Sequence, residues 1–247
     1  MSKENTSRAC AVGSASRHVK RSGGFVTFEG IECSGKSTQI CLLADRLCQR
    51  GLNVLRLQDP GGTPIGEEIR ATLERNRSGA HLVPEAELLL VAASRVQLLR
   101  EIICPALAAG QIVLCERFYD STTAYLGYGF GIDLSLIGAL KDVTVGGMQP
   151  DLTLLLDIPL EVGRQRCHSP RLPLGHLARH GEQSSQLAFS ARVISGYRAI
   201  ASADPVRVRT VEASGAVETV DARVWAIMEE FLLTRHEGLE NRSGAAL

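Results

Sequence analysis

The feature that most constrains the fold is a glycine-containing loop, GIECSGKS, at residues 30–37. It fits the pattern G-x-x-x-x-G-K-[ST] without a mismatch, follows the β-rich run GFVTFE and precedes apolar residues at helical spacing. A strand, a loop and a helix in this order direct backbone N–H groups and a helix N-terminus at anionic oxygens. The loop therefore predicts an α/β domain that binds a nucleoside triphosphate.

Four further strands are predicted, with helical segments between them: NVLRLQ, QIVLCE, PDLTLLLD and PVRVRTVE. We expect a P-loop NTPase-type parallel sheet of about five strands flanked by helices, with ligands at the carboxyl ends of the strands. One domain is predicted at residues 23–235, between a disordered tail at 1–22 and a frayed end at 236–247. The predicted helices begin at or near Ser37, Gly66, Pro84, Leu134 and Val217.

Composition excludes several classes of protein. The 27 basic and 27 acidic residues balance, so the whole chain is not biased toward nucleic acid or a membrane surface. No apolar run approaches the roughly 18 residues that a membrane helix needs. The seven cysteines are odd in number and include no C-x-x-C pair, which predicts reduced thiols in the cytoplasm rather than a disulfide or zinc framework.

Residue types within the loop assign its chemistry. Lys36 is expected to reach the β- and γ-phosphates of ATP, and Ser37 to give its hydroxyl to Mg²⁺. Glu32 is expected to orient either the surroundings of the acceptor or a Mg²⁺-bound water, so Ser37 and Glu32 form the predicted metal site. The predicted ATP-binding residues are Gly30, Ile31, Glu32, Cys33, Ser34, Gly35, Lys36, Ser37 and Thr38.

Four longer motifs follow one another along the chain: FEGIECSGKSTQ, DPGGTPIGEEIR, AASRVQLLREIICPALAAGQIVLCERFYDSTTAY and PDLTLLLDIPLEVGRQR. In order and spacing this set resembles the motifs of bacterial thymidylate kinases, over about residues 25–228. The resemblance implies transfer of the γ-phosphate of ATP to dTMP, giving dTDP, with Mg²⁺ as cofactor. It also implies a homodimer packed through long helices, and no nucleic acid or membrane partner.

The resemblance implies roles for single side chains on the acceptor side. Arg70 resembles the arginine that contacts the acceptor phosphate, Arg95 the one that hydrogen-bonds the thymine edge, and Arg117 the one at the bridging phosphates. With Lys36 and Mg²⁺, Arg70 and Arg117 would offset the repulsion between two phosphate groups. The implied dTMP-binding residues are Asp59, Arg70, Val91, Ser94, Arg95, Arg117, Thr122, Tyr125 and Leu126.

A segment at about residues 164–183 is predicted to be a mobile lid, because its first part, RQRCHSPRLPLGHLARHG, combines arginine with glycine and proline. Some thymidylate kinases have an arginine at the position of Cys33. Since Cys33 is small and uncharged, the resemblance implies that the lid supplies the arginine, from Arg164 and either Arg171 or Arg179. The predicted catalytic residues are Lys36, Glu116, Arg117, Arg164, Arg171 and Arg179.

Five positions depart from the family pattern. Gln58 and Asp59 stand for the arginine and glutamate of T-R-E-P-G-G, and Glu116 for the aspartate of D-R-[YF]. Val91 stands for the aromatic residue that stacks on thymine, and Leu126 for a glutamine at the base edge. Two alternatives therefore stay open: a kinase with another pyrimidine monophosphate as acceptor, such as dUMP, and a catalytically weakened ATP-binding paralogue.

Overall fold

The computed structural model describes residues 23–75, 82–167 and 183–243. All the predicted strands are present: β1 (Phe25–Glu29), β2 (Val54–Gln58), β3 (Ile112–Glu116), β4 (Leu152–Asp157) and β5 (Val208–Glu212). They pair in parallel in one five-stranded sheet of order β2-β3-β1-β4-β5. The prediction of a parallel α/β fold is confirmed.

Helices cover the sheet and connect its strands. Two π-helical turns interrupt them, Leu99–Ile103 and Thr123–Gly129. In the part of the chain that the structure describes, none of the helices is long and apolar enough to cross a membrane. The α-helices are α1 (Lys36–Gln49), α2 (Pro64–Arg75), α3 (Pro84–Leu98), α4 (Cys104–Ala108), α5 (Tyr119–Thr122), α6 (Leu134–Val145), α7 (Leu160–Arg166), α8 (Gln183–Ala203) and α9 (Val217–Ser243).

Helices α5, α7 and α8 are absent from the sequence prediction, and two predicted helices have different bounds. The long helix expected from Pro84 is present as α3, a π-helical turn and α4. That turn widens the helix just before Pro105, which lacks an N–H and whose ring crowds the preceding turn of an ordinary α-helix. The closing helix α9 ends at Ser243 rather than Leu233, and α8, which the sequence analysis did not predict, precedes β5.

Strand β1 lies at the centre of the sheet, between β3 and β4, and all five of its residues are buried. Leu43 and Leu47 of α1 belong to the apolar cluster on one side of the sheet, and Leu98 and Ile103 to a second cluster. Burial on both faces explains the near-continuous apolar character of the central strands. A rigid central strand gives the phosphate loop, which follows it directly, a fixed starting point.

The carboxyl ends of three strands meet at one edge of the sheet. Phe28 of β1 and Gln58 of β2 both pair in register with Glu116 of β3. The phosphate loop leaves β1 here, the turn that begins at Asp59 leaves β2, and Arg117 follows β3. The topology therefore brings the predicted donor and acceptor residues together at this edge.

Candidate active site

The phosphate loop is folded around Lys36. The Nζ of Lys36 donates to the carbonyl oxygens of Gly30 at 3.1 Å and Ile31 at 2.8 Å, and to Ser34 Oγ at 3.4 Å. Burial, helped by the positive charge of Arg117, lowers the pKa of Lys36 to about 7. An anionic phosphate beside the amine would favour its charged form again.

A cavity of about 620 Å³ lies between the phosphate loop and the segment that enters α9. Its volume falls in the range of about 300–1,000 Å³ that is usual for small-molecule sites. On the far wall, Arg166 donates to the carbonyl oxygens of Ala213, Ser214 and Gly215 at 2.8, 2.9 and 3.0 Å. We call this space the donor cavity; the sequence analysis missed Arg166, because its contacts lie far along the chain.

Glu116, and not Glu32, is the carboxylate that contacts the Ser37 hydroxyl. Ser37 Oγ donates to Glu116 Oε2 at 2.7 Å, across the base of the donor cavity. Glu32 is engaged elsewhere: it accepts from Arg117 Nη2 at 3.1 Å and from the Tyr125 hydroxyl at 2.7 Å. Within the described ranges no cluster of three or more His, Cys, Asp or Glu could hold a metal ion, so phosphate oxygens would have to complete its coordination.

A second, narrower cavity of about 170 Å³, which we call the acceptor cavity, adjoins the first. Glu32 and Arg117 line both cavities, so this pair forms the boundary between them. All but one of the predicted dTMP-binding residues line the acceptor cavity: Asp59, Arg70, Val91, Arg95, Arg117, Thr122, Tyr125 and Leu126.

The exception is Ser94. It is fully buried and accepts a hydrogen bond from the Gly61 N–H at 3.2 Å. Ser94 therefore lies behind the wall of the acceptor cavity, where it holds the backbone of the turn that follows β2.

Arg95 is the most enclosed cation of the acceptor cavity. Its Nε donates to Asp59 Oδ2 at 2.5 Å and its Nη2 to Thr122 Oγ1 at 2.9 Å, and its guanidinium lies 5.2 Å from the centre of the Phe118 ring. Burial raises the pKa of Asp59, and the positive charge of Arg95 opposes that rise. The buried guanidinium is thus held in one orientation from two sides.

Arg70 lies at the more open end of the acceptor cavity. It forms ion pairs with Glu67 at 3.6 Å and Glu74 at 3.3 Å along α2, and its Nη1 donates to Gln58 Oε1 at 3.1 Å. Gln58 stands where the family pattern has an arginine. It accepts a hydrogen bond from Arg70, whereas an arginine at this position would repel Arg70.

The two apolar residues that depart from the family pattern, Val91 and Leu126, both line the acceptor cavity, but they differ in how deeply they are buried. Leu126 is buried and packs in a cluster with Leu88 and Ile137, so it also belongs to the core. Val91 lines the cavity from α3 and is half-buried. Both present methyl groups where the family has an aromatic ring and an amide.

The turn that carries Arg117 is fixed by a buried carboxylate, Glu29, at the end of β1. Glu29 accepts from the backbone N–H groups of Phe118 at 2.8 Å and Ser121 at 3.2 Å, and from the hydroxyls of Ser121 at 2.5 Å and Tyr197 at 3.0 Å. Burial, followed by the charge of Asp120, raises the pKa of Glu29 to about 7.

Arg117 itself has a left-handed backbone, φ 66°, which is unfavourable for a residue with a side chain. Its Nη1 donates to Gly30 O at 3.3 Å, Ser121 Oγ at 3.1 Å and the Tyr197 hydroxyl at 3.3 Å. The sequence analysis missed Glu29 and Tyr197; the signal for Glu29 was a charged residue at the end of the β-rich run FVTFE.

The predicted lid falls largely outside the described residues. Arg171 and Arg179 lie there, whereas Arg164 is an exposed residue of α7. The prediction that the cysteines are all reduced is wrong, because Cys33 and Cys167 form a disulfide with their Cα atoms 5.7 Å apart. The partners are 134 residues apart, so no local spacing could reveal the pair.

Comparisons with known proteins agree with this geometry. A family model described as thymidylate kinase matches residues 28–224. A thymidylate kinase from Desulfovibrio desulfuricans is 44% identical over 217 residues, which are 87% of this chain and 100% of that protein. One from Syntrophotalea carbinolica is 46% identical over 202 residues, 81% of this chain and 93% of that protein. The crystal structure of thymidylate kinase from Ehrlichia chaffeensis matches with a TM-score of 0.68 and 33% identity, covering 84% of this chain and 98% of that one.

Proposed function

The chain belongs to the thymidylate kinase family, and we propose that its two adjoining cavities bind ATP and dTMP for direct transfer of the γ-phosphate, which yields dTDP. The observation that carries this proposal is the shared boundary: Glu32 and Arg117 line both cavities. Phosphoryl transfer requires positioning and charge stabilisation rather than a covalent intermediate on the protein. Two phosphate groups that meet at Arg117 satisfy that requirement.

In the donor cavity, the loop N–H groups and Lys36 bind the triphosphate of ATP. Ser37 and Glu116 offer a hydroxyl and a carboxylate oxygen within 2.7 Å of each other, the hard ligands that Mg²⁺ prefers. We assign these two residues to Mg²⁺ in place of Ser37 and Glu32, because Glu32 is paired with Arg117. When bound, Mg²⁺ neutralises charge on the donor phosphates.

In the acceptor cavity, Arg70 binds the phosphate of dTMP and Arg95 donates to the base. The fixed guanidinium of Arg95 suits a carbonyl acceptor such as O4 of thymine, because arginine can only donate hydrogen bonds. Cytosine presents an amino group at that position, so it would leave the buried donor unpaired. Arg117 spans both phosphates, and Glu32 orients Arg117.

The alternative acceptor is dUMP, which lacks only the methyl group of thymine. Val91 and Leu126 favour dTMP, because an apolar wall gains free energy from a buried methyl, on the order of 0.8 kcal/mol. The catalytically weakened paralogue is disfavoured, because a protein that only binds ATP does not need Arg70, Arg95 and Arg117 around a second cavity.

We also propose a cytoplasmic homodimer without a nucleic acid or membrane partner. Large apolar side chains on α3 and α6 are exposed: Leu89 at 62%, Leu136 at 52% and Val143 at 79%. The two helices pack against each other, so these residues offer an apolar surface for a second copy. Light scattering after size exclusion should give a dimer mass, and Leu89→Glu should reduce it to a monomer; a monomeric wild-type protein contradicts the proposal.

The activity is tested with purified protein, Mg²⁺ and ATP, by a coupled assay of ADP formation. The acceptors dTMP, dUMP, UMP and dCMP are compared at equal concentration. We expect dTMP to give the highest kcat/KM, with dUMP lower by roughly fourfold, since burial of one methyl group is worth about 0.8 kcal/mol. A preference for another acceptor contradicts the assignment of thymine as the base. An absence of turnover with all four acceptors contradicts the assignment as a kinase.

A further inference from the structure

Helix α7 is attached to the phosphate loop at two points. Gly163 lies directly against the loop: a Cβ at this residue would approach Ile31 Cδ1 to 3.2 Å and the Glu32 carbonyl oxygen to 3.4 Å. The disulfide between Cys33 and Cys167 adds a covalent connection where the helix ends. Both sulfur-bearing residues are half-buried, so solvent reaches them.

The same helix also reaches the opposite wall of the donor cavity. Arg166, next to Cys167, donates to three successive carbonyl oxygens of the segment before α9. One short helix therefore connects the wall that carries the phosphate loop with the wall at residues 213–215. A bond that fixes its end fixes the width of the cavity between them.

Cys33 adopts a left-handed backbone, φ 58°, inside the loop. Residues with a Cβ disfavour this conformation, so Cys33 has a tendency to leave it. The disulfide opposes that tendency, because the side chain is tied to α7. The loop whose N–H groups are to receive phosphate is thus held in shape partly by the sulfur–sulfur bond.

We propose that Cys33–Cys167 is a thiol–disulfide exchange site that takes a dithiol as co-reactant and sets the affinity of the donor cavity for ATP. This inference rests on the proposed function of that cavity. A thiolate of the dithiol attacks one protein sulfur, forming a mixed disulfide and releasing the other cysteine as a thiolate, which takes up a proton. The second thiol of the reductant then closes its own disulfide, so two electrons and two protons pass to the protein as two thiols.

The oxidised form binds the donor more tightly. Reduction releases the end of α7 and lets Cys33 relax, so ATP must reorder the loop when it binds. The KM for ATP and the Kd for ADP are expected to rise roughly fivefold to thirtyfold, which is the factor that corresponds to the cost of one left-handed residue. The KM for dTMP changes less, because the acceptor cavity has no contact with either cysteine. Cytoplasmic disulfides are commonly transient and redox-sensing, which fits such a site.

The test compares the full chain before and after treatment with dithiothreitol. Thiol titration must show two additional thiols after reduction, and ADP affinity is measured by calorimetry in both states, with KM for ATP and dTMP alongside. Cys167→Ser should have the weaker ADP affinity in either state. Cys48→Ser, which removes an exposed thiol of α1, should keep the full difference between the two states.

Equal ADP affinity of the oxidised and reduced wild-type protein overturns the proposal, as does a redox difference that persists in Cys167→Ser. Failure to form the bond, seen as no loss of thiols on oxidation, overturns it too. Because ADP binding needs no turnover, a redox-dependent Kd without any kinase activity would support the exchange site and contradict the proposed function.

Discussion

The donor and acceptor cavities are built from different kinds of sequence. One wall of the donor cavity is a single contiguous loop, in which Lys36 bonds to residues at most six positions away. The acceptor cavity joins side chains from β2, α2, α3 and the segment after β3, and it carries most of the departures from the family pattern. The loop that is to bind the triphosphate is therefore encoded by one local motif. The residues that select the base of the acceptor are brought together only by the fold.

The largest effect is expected in the donor cavity. Lys36→Met keeps a side chain of similar length but removes the buried cation, so kcat should fall by about 10²–10³-fold or more, as for other lost transition-state donors. The coupled assay measures kcat, and thermal unfolding checks that the variant is folded. A variant with wild-type turnover would show that the phosphate loop does not bind the transferred phosphate.

Arg117 tests the boundary between the cavities. Arg117→Ala should lower kcat by about 10²-fold and raise the KM for both ATP and dTMP, because the guanidinium lines both sites. Arg198→Ala is the matched control: Arg198 is 60% exposed and pairs with Asp157, so kcat should stay within about twofold. An effect of Arg117→Ala on only one KM would assign Arg117 to one cavity alone.

Glu29 is expected to act as a positioning residue, through the turn that carries Arg117. Glu29→Gln preserves the side-chain shape but weakens the hydrogen bonds that it accepts from two backbone N–H groups. The kcat/KM for dTMP should therefore fall by roughly tenfold, which corresponds to the loss of about one charge-assisted hydrogen bond. The exposed ion pair of Glu230 with Arg209 provides the control, and Glu230→Gln should leave kcat/KM unchanged.

The same residue gives a signed pH dependence. Its pKa rises from 4.5 to about 7 on folding, so the folded protein holds a proton there that the unfolded chain releases. This contribution to stability is complete below pH 4.5 and is lost as the pH rises through 7. In the wild-type protein, the free energy of unfolding measured with urea should fall between pH 5 and pH 8. In Glu29→Gln that fall should be smaller by ~1–3 kcal/mol. Equal falls in the two proteins would contradict the assignment.

The smallest effect concerns the base. Val91→Phe restores an aromatic ring at the half-buried position on α3, and stacking should lower the KM for dTMP by roughly two- to tenfold, from ~0.5–1.5 kcal/mol. Val206→Phe places the same ring at a position that is 88% exposed and should change nothing. A rise in the KM for dTMP would mean that Val91 makes room for the base rather than replacing a stack.

Much of the fold could be predicted from sequence because its signals are local. The apolar run of β4 and the loop that precedes α1 each carry their own pattern, and parallel topology then fixes which strand ends meet. A contact within the site could be predicted from sequence only where one motif contains both of its residues. Ser37 meets Glu116 across 79 positions, and Cys33 meets Cys167 across 134, so no spacing rule applies to either pair.

Family resemblance named Arg117 but neither Glu29, which fixes the turn that carries it, nor Tyr197, which accepts a hydrogen bond from it. Glu29 appeared as the end of a buried strand, and its role follows only from the turn that β3 delivers beside it. Tyr197 comes from α8, far along the chain, and contacts Glu29, Ser121 and Arg117 together. Supporting contacts of this kind depend on tertiary packing, which local patterns do not encode.

The most direct test of the account is the binding of a dinucleotide in which adenosine and thymidine are joined through a chain of phosphates. Calorimetry would compare its Kd with those of ATP and dTMP alone. Since the cavities adjoin at Glu32 and Arg117, the joined ligand should bind at least about 10²-fold more tightly than either nucleotide, and Arg117→Ala should abolish most of that gain. A joined ligand that binds no better than ATP, and that leaves dTMP binding unaffected, would contradict direct transfer between two adjoining cavities.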